Sequence, residues 1–134
     1  MMCRKVRVVT VMSRLFALLF MFLAVDAVAA PPTTDDAHEI QYLIASIESL
    51  QGAQFIRNGT SYDAVSAASH LRLKLDNAGS RVRTADDFIR LCASVSSVSG
   101  RPYEIRFADG RTVTSESFLK ARLAELRMGS RPGA

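Results

Sequence analysis

Cysteine is scarce in this 134-residue chain, with only Cys3 and Cys92. Cys3 lies in a leader that reads as removable, so Cys92 is left without an intramolecular partner and no disulfide is expected. A lone cysteine of this kind is expected to be buried as a small hydrophobe, the alternative being a bond to another molecule. Histidine is just as scarce. His38 and His70 are far apart, and no close His/Cys/Asp spacing joins them, so no metal site is expected. There is no G-x-S-x-G nucleophile elbow, and no cofactor is expected. Long apolar runs are missing too. The longest, residues 15–25 (LFALLFMFLAV), has 11 residues between Arg14 and Asp26, against the roughly 20 that a membrane span requires.

What that run does fit is an export signal. Arg4, Lys5, Arg7 and Arg14 make a basic leading region, the apolar run follows, and Ala27-Val28-Ala29 matches the small-residue cleavage pattern. Residues 1–29 therefore read as a secretory signal peptide, cleaved after Ala29, with a periplasmic destination. The charge argument changes with it. The leader takes four of the 17 basic residues and one of the 13 acids, leaving 13 and 12. A nearly neutral remainder gives no electrostatic case for nucleic acid, which needs a sustained cationic surface. No stable membrane span is expected after cleavage. About 105 residues can bury a modest core without a disulfide, as one domain.

After an extended linker at 30–35, the chain reads as four helices and a hairpin. Asp36 and Glu39 have capping-box spacing, and Ile40, Leu43, Ile44 and Ile47 recur at helical period. The expected helix is 37–51, stopped by Gly52. Asn58-Gly59 is a turn dipeptide. Thr60 or Ser61 then caps an expected second helix to about Asn77, with Ala64, Ala68, Leu71 and Leu75 inward. Thr84 with Asp87 caps a third, ending near Val95, which buries Cys92. Tyr103, Ile105 and Phe107 alternate with polar residues and Asp109-Gly110 turns the chain, so a hairpin is expected near 102–114. A last helix, capped by Thr114 or Ser115, runs to Gly129, and 130–134 is a loose tail. The fold class is mostly α with a small β-hairpin (α+β), in the order helix, helix, helix, hairpin, helix, within a single domain at 36–128.

Three segments carry a resemblance: FIRNG at 55–59, HLRLKL at 70–75 and FIRLCASVSSVSGRPYEIRF at 88–107. Their order and spacing resemble the YfeK-like family of small periplasmic bacterial proteins, a domain of unknown function. The resemblance implies an exported location and a mostly helical fold, and it brings no activity. It also implies that Ala53 and Phe107 stand where some relatives carry cysteines. If those cysteines bridge, Ala53 and Phe107 lie close in space.

The polar residues that packing does not explain concentrate in the same segments. Arg57, Asn58, His70, Ser96, Ser97 and Tyr103 form the expected binding patch. Arg57 supplies a guanidinium for a carboxylate or phosphate. The bland reading makes Asn58 a turn residue, His70 a hydrogen-bonded core histidine and Tyr103 a core aromatic with a solvated tip. The leading expectation is a non-catalytic binding or interaction module for an envelope protein or an anionic envelope component. The alternative is a hydrolase in which His70 activates Ser96, Ser97 or Ser99, which requires a serine oxygen within about 3.2 Å of a ring nitrogen.

Overall fold

A computed structural model describes residues 32–130, and four short polar residues in it each start a helix. Thr33, Asp63, Thr84 and Thr114 sit at extended backbone angles, and each side-chain oxygen accepts the N–H three residues on. The acceptor distances run from 2.7 Å at Ser66 to 3.2 Å at Ser117. Such caps satisfy donors that the first helical turn leaves without a partner. Helices α1 (Thr34–Glu48), α2 (Ala64–Ala78), α3 (Ala85–Phe88) and α4 (Ser115–Gly129) follow from them. Helix α3 continues as one π-helical turn, Ile89–Ala93.

Several boundaries differ from the sequence expectation. Helix α1 begins at Thr34 rather than Ala37, because Thr33 directly after Pro32 is the cap and Asp36 is already inside the first turn. It ends at Glu48 rather than Gln51, since residues 49–53 must turn the chain into a strand that was not expected. That strand is the main correction. Asn58-Gly59 does not lead straight into a helix but closes a hairpin between β1 (Gln54–Arg57) and β2 (Thr60–Tyr62). Asn58 and Gly59 both have positive φ, +52° and +81°, which is what a tight hairpin turn demands. Helix α2 therefore starts one cap later, at Asp63. The order is helix, hairpin, helix, helix, hairpin, helix, and the fold is α+β with a larger β share than expected.

The second hairpin lies where alternation placed it, as β3 (Glu104–Arg106) and β4 (Thr112–Thr114). The two hairpins join through β1 and β3 into one antiparallel sheet of order β2-β1-β3-β4. A two-stranded hairpin is marginal alone, and joining two removes that weakness. Phe55 pairs with Tyr62 on one side and Ile105 on the other, and Ile105 pairs with Val113. Side chains alternate along a strand, so Phe55, Arg57, Tyr62, Tyr103, Ile105 and Val113 share one face. The buried part of that row meets the helices in a core with Leu43, Ile44, Ile47, Leu71, Phe88, Ile89, Leu119 and Leu123.

Two smaller expectations are met. Cys92 is buried, and burial pushes its thiol pKa up, which leaves little reactive thiolate. The pair Gln54↔Arg106 puts Ala53 and Phe107 opposite each other one ladder step further on. The neighbouring step agrees, since a Cβ built at Gly52 would lie 3.6 Å from that of Ala108. Arg127 ties three elements from outside by pairing with Glu39 at 2.8 Å and Asp86 at 3.2 Å. Among the described residues no helix is long and apolar enough to cross a membrane. The expected signal and its cleavage point lie outside the described residues.

Candidate functional site

The inward face of the sheet and one side of α2 do not close completely. Between them lies a pocket of about 280 Å³. Ile47, Phe55, Tyr62, Ala67 and Leu71 form its apolar walls, and Arg57, His70, Tyr103, Ser66 and Ser115 add the polar groups. Strand alternation delivers Arg57 two residues after Phe55. The same register, one step past Ile56↔Glu104, sets it across from Tyr103. Helical spacing delivers the rest. Ala67, His70, Leu71 and Lys74 are three and four apart, hence on one side of α2.

His70 is the centre of the polar group. One terminal nitrogen of Arg57 lies 2.9 Å from Nε2 and 3.2 Å from Nδ1. A guanidinium only donates, so the imidazole accepts and is neutral. The Tyr103 hydroxyl is 3.5 Å from Nε2, and the two rings meet edge to face with centroids 6.2 Å apart. Lys74 Nζ donates to that hydroxyl at 3.2 Å and to the Val95 carbonyl at 3.1 Å. It also stands 4.9 Å from the Tyr103 ring centroid. Arg57 Cζ is 5.9 Å from the ring centroid of Tyr62. Among the described residues, neither Arg57 nor Lys74 has a carboxylate partner, whereas Arg72, Arg90, Lys120, Arg122 and Arg127 each have one. Arg57 therefore lines a pocket with apolar walls as an unneutralised cation, and Lys74, bonded to Tyr103, stands as a second beside it.

This environment lowers the pKa of His70. Burial contributes most, followed by the charges of Arg57 and Lys74. The lowered value sets a pH dependence. Below the ordinary histidine pKa of about 6.5, the unfolded chain takes up a proton that the folded chain resists. Stability is therefore expected to fall as pH drops from that point through the lowered folded value, and to be fully present above it. Urea titrations of wild type and His70→Gln between pH 7.5 and 5 would show it as a steeper acid loss in the wild type. Parallel slopes would mean that His70 is not held neutral.

The expected patch divides in two. Arg57, His70 and Tyr103 meet at the pocket. Asn58 and Ser96 instead form a strut beside it. Asn58 Nδ2 donates to Ser96 Oγ at 3.2 Å, and Asn58 Oδ1 accepts from the Ser99 hydroxyl. Ser96 is buried, and its Oγ also accepts from the N–H groups of Val98 and Ser99 at 3.3 and 3.4 Å. This strut ties the first hairpin's tip to the 96–100 loop. Ser97 is exposed and takes no part in it. Among the described residues His70 has no serine hydroxyl as a partner, so the pairing that a hydrolase would need is not made. Lys74, Tyr62, Ser66 and Ser115 were missing from the expected patch. Lys74 was legible as the residue one turn after His70, but Tyr62 and Ser115 reach the pocket only through the sheet. Among the described residues no three His, Cys, Asp or Glu side chains gather as a metal site would require.

A family model described as "Family of unknown function (DUF5329)" matches residues 34–127. The chain belongs to this family. It is also similar to "Uncharacterized protein YfeK" of Salmonella typhimurium strain LT2, at 41% identity over 71 residues. That match covers 51% of this chain and 59% of the relative's length. No solved structure matches. The YfeK-like resemblance is thus shown, and the family match spans all four helices' starts, both hairpins and every pocket residue.

Proposed function

We propose that this member of the family is an exported, non-catalytic binding module of the cell envelope, with its site at the Arg57–His70–Tyr103 pocket. The observation that carries the reading is the pair of cations, Arg57 and Lys74, left without carboxylates beside an apolar pocket. Unpaired charge at a partly desolvated site is unfavourable by itself and becomes favourable when an anion completes it. The basic and apolar leader with its A-x-A end supports export to the periplasm. The ligand on this reading is an anionic envelope component.

Calorimetric titration with a panel of small anions tests the binding part. Binding to the wild type is expected to weaken by about 10- to 100-fold in Arg57→Gln, the range of one charge-assisted hydrogen bond. Equal affinity in both proteins would remove the pocket from the reading. Export is tested separately by cell fractionation and intact mass. The expected product is periplasmic and begins at Ala30, and retention of residues 1–29 in the cytoplasm would overturn it.

A further inference from the structure

Resting on the anion-binding reading, we propose that the pocket takes a small organic monocarboxylate, one carboxylate joined to a short apolar group. Three features of the site select that class. The first is the free side of Arg57. Only one terminal nitrogen is engaged, by His70. Nε and the other terminal nitrogen have no hydrogen-bond partner among the described residues. Those two N–H groups form the parallel fork that matches the two oxygens of a carboxylate.

The second feature is the limited positive charge. Beyond the Arg57 fork, the Tyr103 O–H is available, because its oxygen accepts from Lys74 and its own proton points to a weak contact at best, His70 Nε2 at 3.5 Å. Lys74 does not line the pocket, and two of its three N–H groups go to Val95 and Tyr103. There is no second guanidinium at the pocket. Two carboxylate oxygens can be satisfied by a fork and one hydroxyl. A phosphate would bring a second negative charge into a partly desolvated pocket whose lining holds a single cation, Arg57, which is costly.

The third is the wall chemistry. Ile47, Phe55, Tyr62, Ala67 and Leu71 surround the space next to the fork. An inorganic anion would leave those walls against water or nothing, whereas a short branched or aromatic group would cover them. The volume, about 280 Å³, is at the small end of ligand pockets. A long acyl chain would have to leave it.

The test is an NMR titration of the purified exported protein with three probes: isovalerate, its neutral amide and inorganic phosphate. Isovalerate is expected to shift the His70 and Tyr103 ring signals, with the amide at least tenfold weaker. Arg57→Gln should lose tenfold or more in isovalerate affinity. Tyr103→Phe, which removes only a hydroxyl and keeps the ring in place, should lose about three- to tenfold. If phosphate shifts these rings and isovalerate does not, the carboxylate class is wrong and the anion-binding reading stands. If the amide binds as well as the acid, the site reads shape without charge and the proposal fails. If no anion moves either ring, both proposals fall.

Discussion

Replacing Phe88 by alanine is expected to cost about 3–5 kcal/mol of folding stability, the usual range for a large aromatic removed from a packed core. Phe88 is fully buried. It is the last residue of α3, where the chain passes into the π-helical turn. Across that junction, α3 packs on α1 and the π turn packs on α2 and α4. A void at this point therefore opens at the junction of two segments that between them pack on every other helix. A domain of this size holds about 5–15 kcal/mol in total, so the loss is about a fifth of it or more. The melting temperature should drop by about 10 °C or more. Urea unfolding followed by circular dichroism measures it, with an unchanged slope against denaturant as the sign that only stability moved. Val98→Ala is the control. Val98 is 90% exposed, and its truncation should stay within about 0.5 kcal/mol of wild type. A loss below about 1 kcal/mol for Phe88→Ala would mean that the helices do not converge there.

Ile105→Ala should cost about 2–5 kcal/mol and should weaken the pocket as well. Ile105 is fully buried at the middle of the sheet, flanked by Phe55 on β1 and Val113 on β4. Cross-strand neighbours on one face hold each other in position, and Phe55 is a pocket wall. Removing Ile105 lets Phe55 lean away from the pocket, so anion affinity should fall along with stability. The neighbours on the same strand sharpen the test. Glu104 and Arg106 point to the other face and are exposed, and alanine at either should change stability by no more than about 0.5 kcal/mol. Denaturation midpoints of the three variants decide it. Equal losses at 104, 105 and 106 would contradict the two-residue alternation of β3.

How far the sequence reached depended on how local the determining physics was. Helices α1 and α4 were legible because their apolar residues recur at the helical period, and α3 because Thr84 and Asp87 announce its cap. Each signal is complete within a dozen residues. Strand β3 was legible for the same reason, with Tyr103 and Ile105 alternating against Glu104 and Arg106. The first hairpin was not. Its turn dipeptide, Asn58-Gly59, was recognised, but β2 is exposed at all three residues, so it carries no apolar alternation to mark it. It exists because β1 finds β3 nearly fifty residues later and becomes an inner strand. Long-range pairing of that kind leaves no local trace.

The candidate site divides along the same line. The sequence by itself determined that Arg57, His70 and Lys74 exist as polar residues beside apolar ones, and that His70 and Lys74 share a side of α2. It also determined that Cys92 falls on a buried helical face. The tertiary structure alone decided that Arg57 points toward His70 and not to solvent, because only membership in the sheet sets which way alternate side chains of β1 face. It alone separated Asn58 and Ser96, a strut, from Arg57, His70 and Tyr103, a pocket. It alone decided that Arg57 at the pocket and Lys74 beside it have no carboxylate partner, since an ion pair depends on which elements meet in space, as where α4 brings Arg127 to Glu39 of α1 and Asp86 of α3.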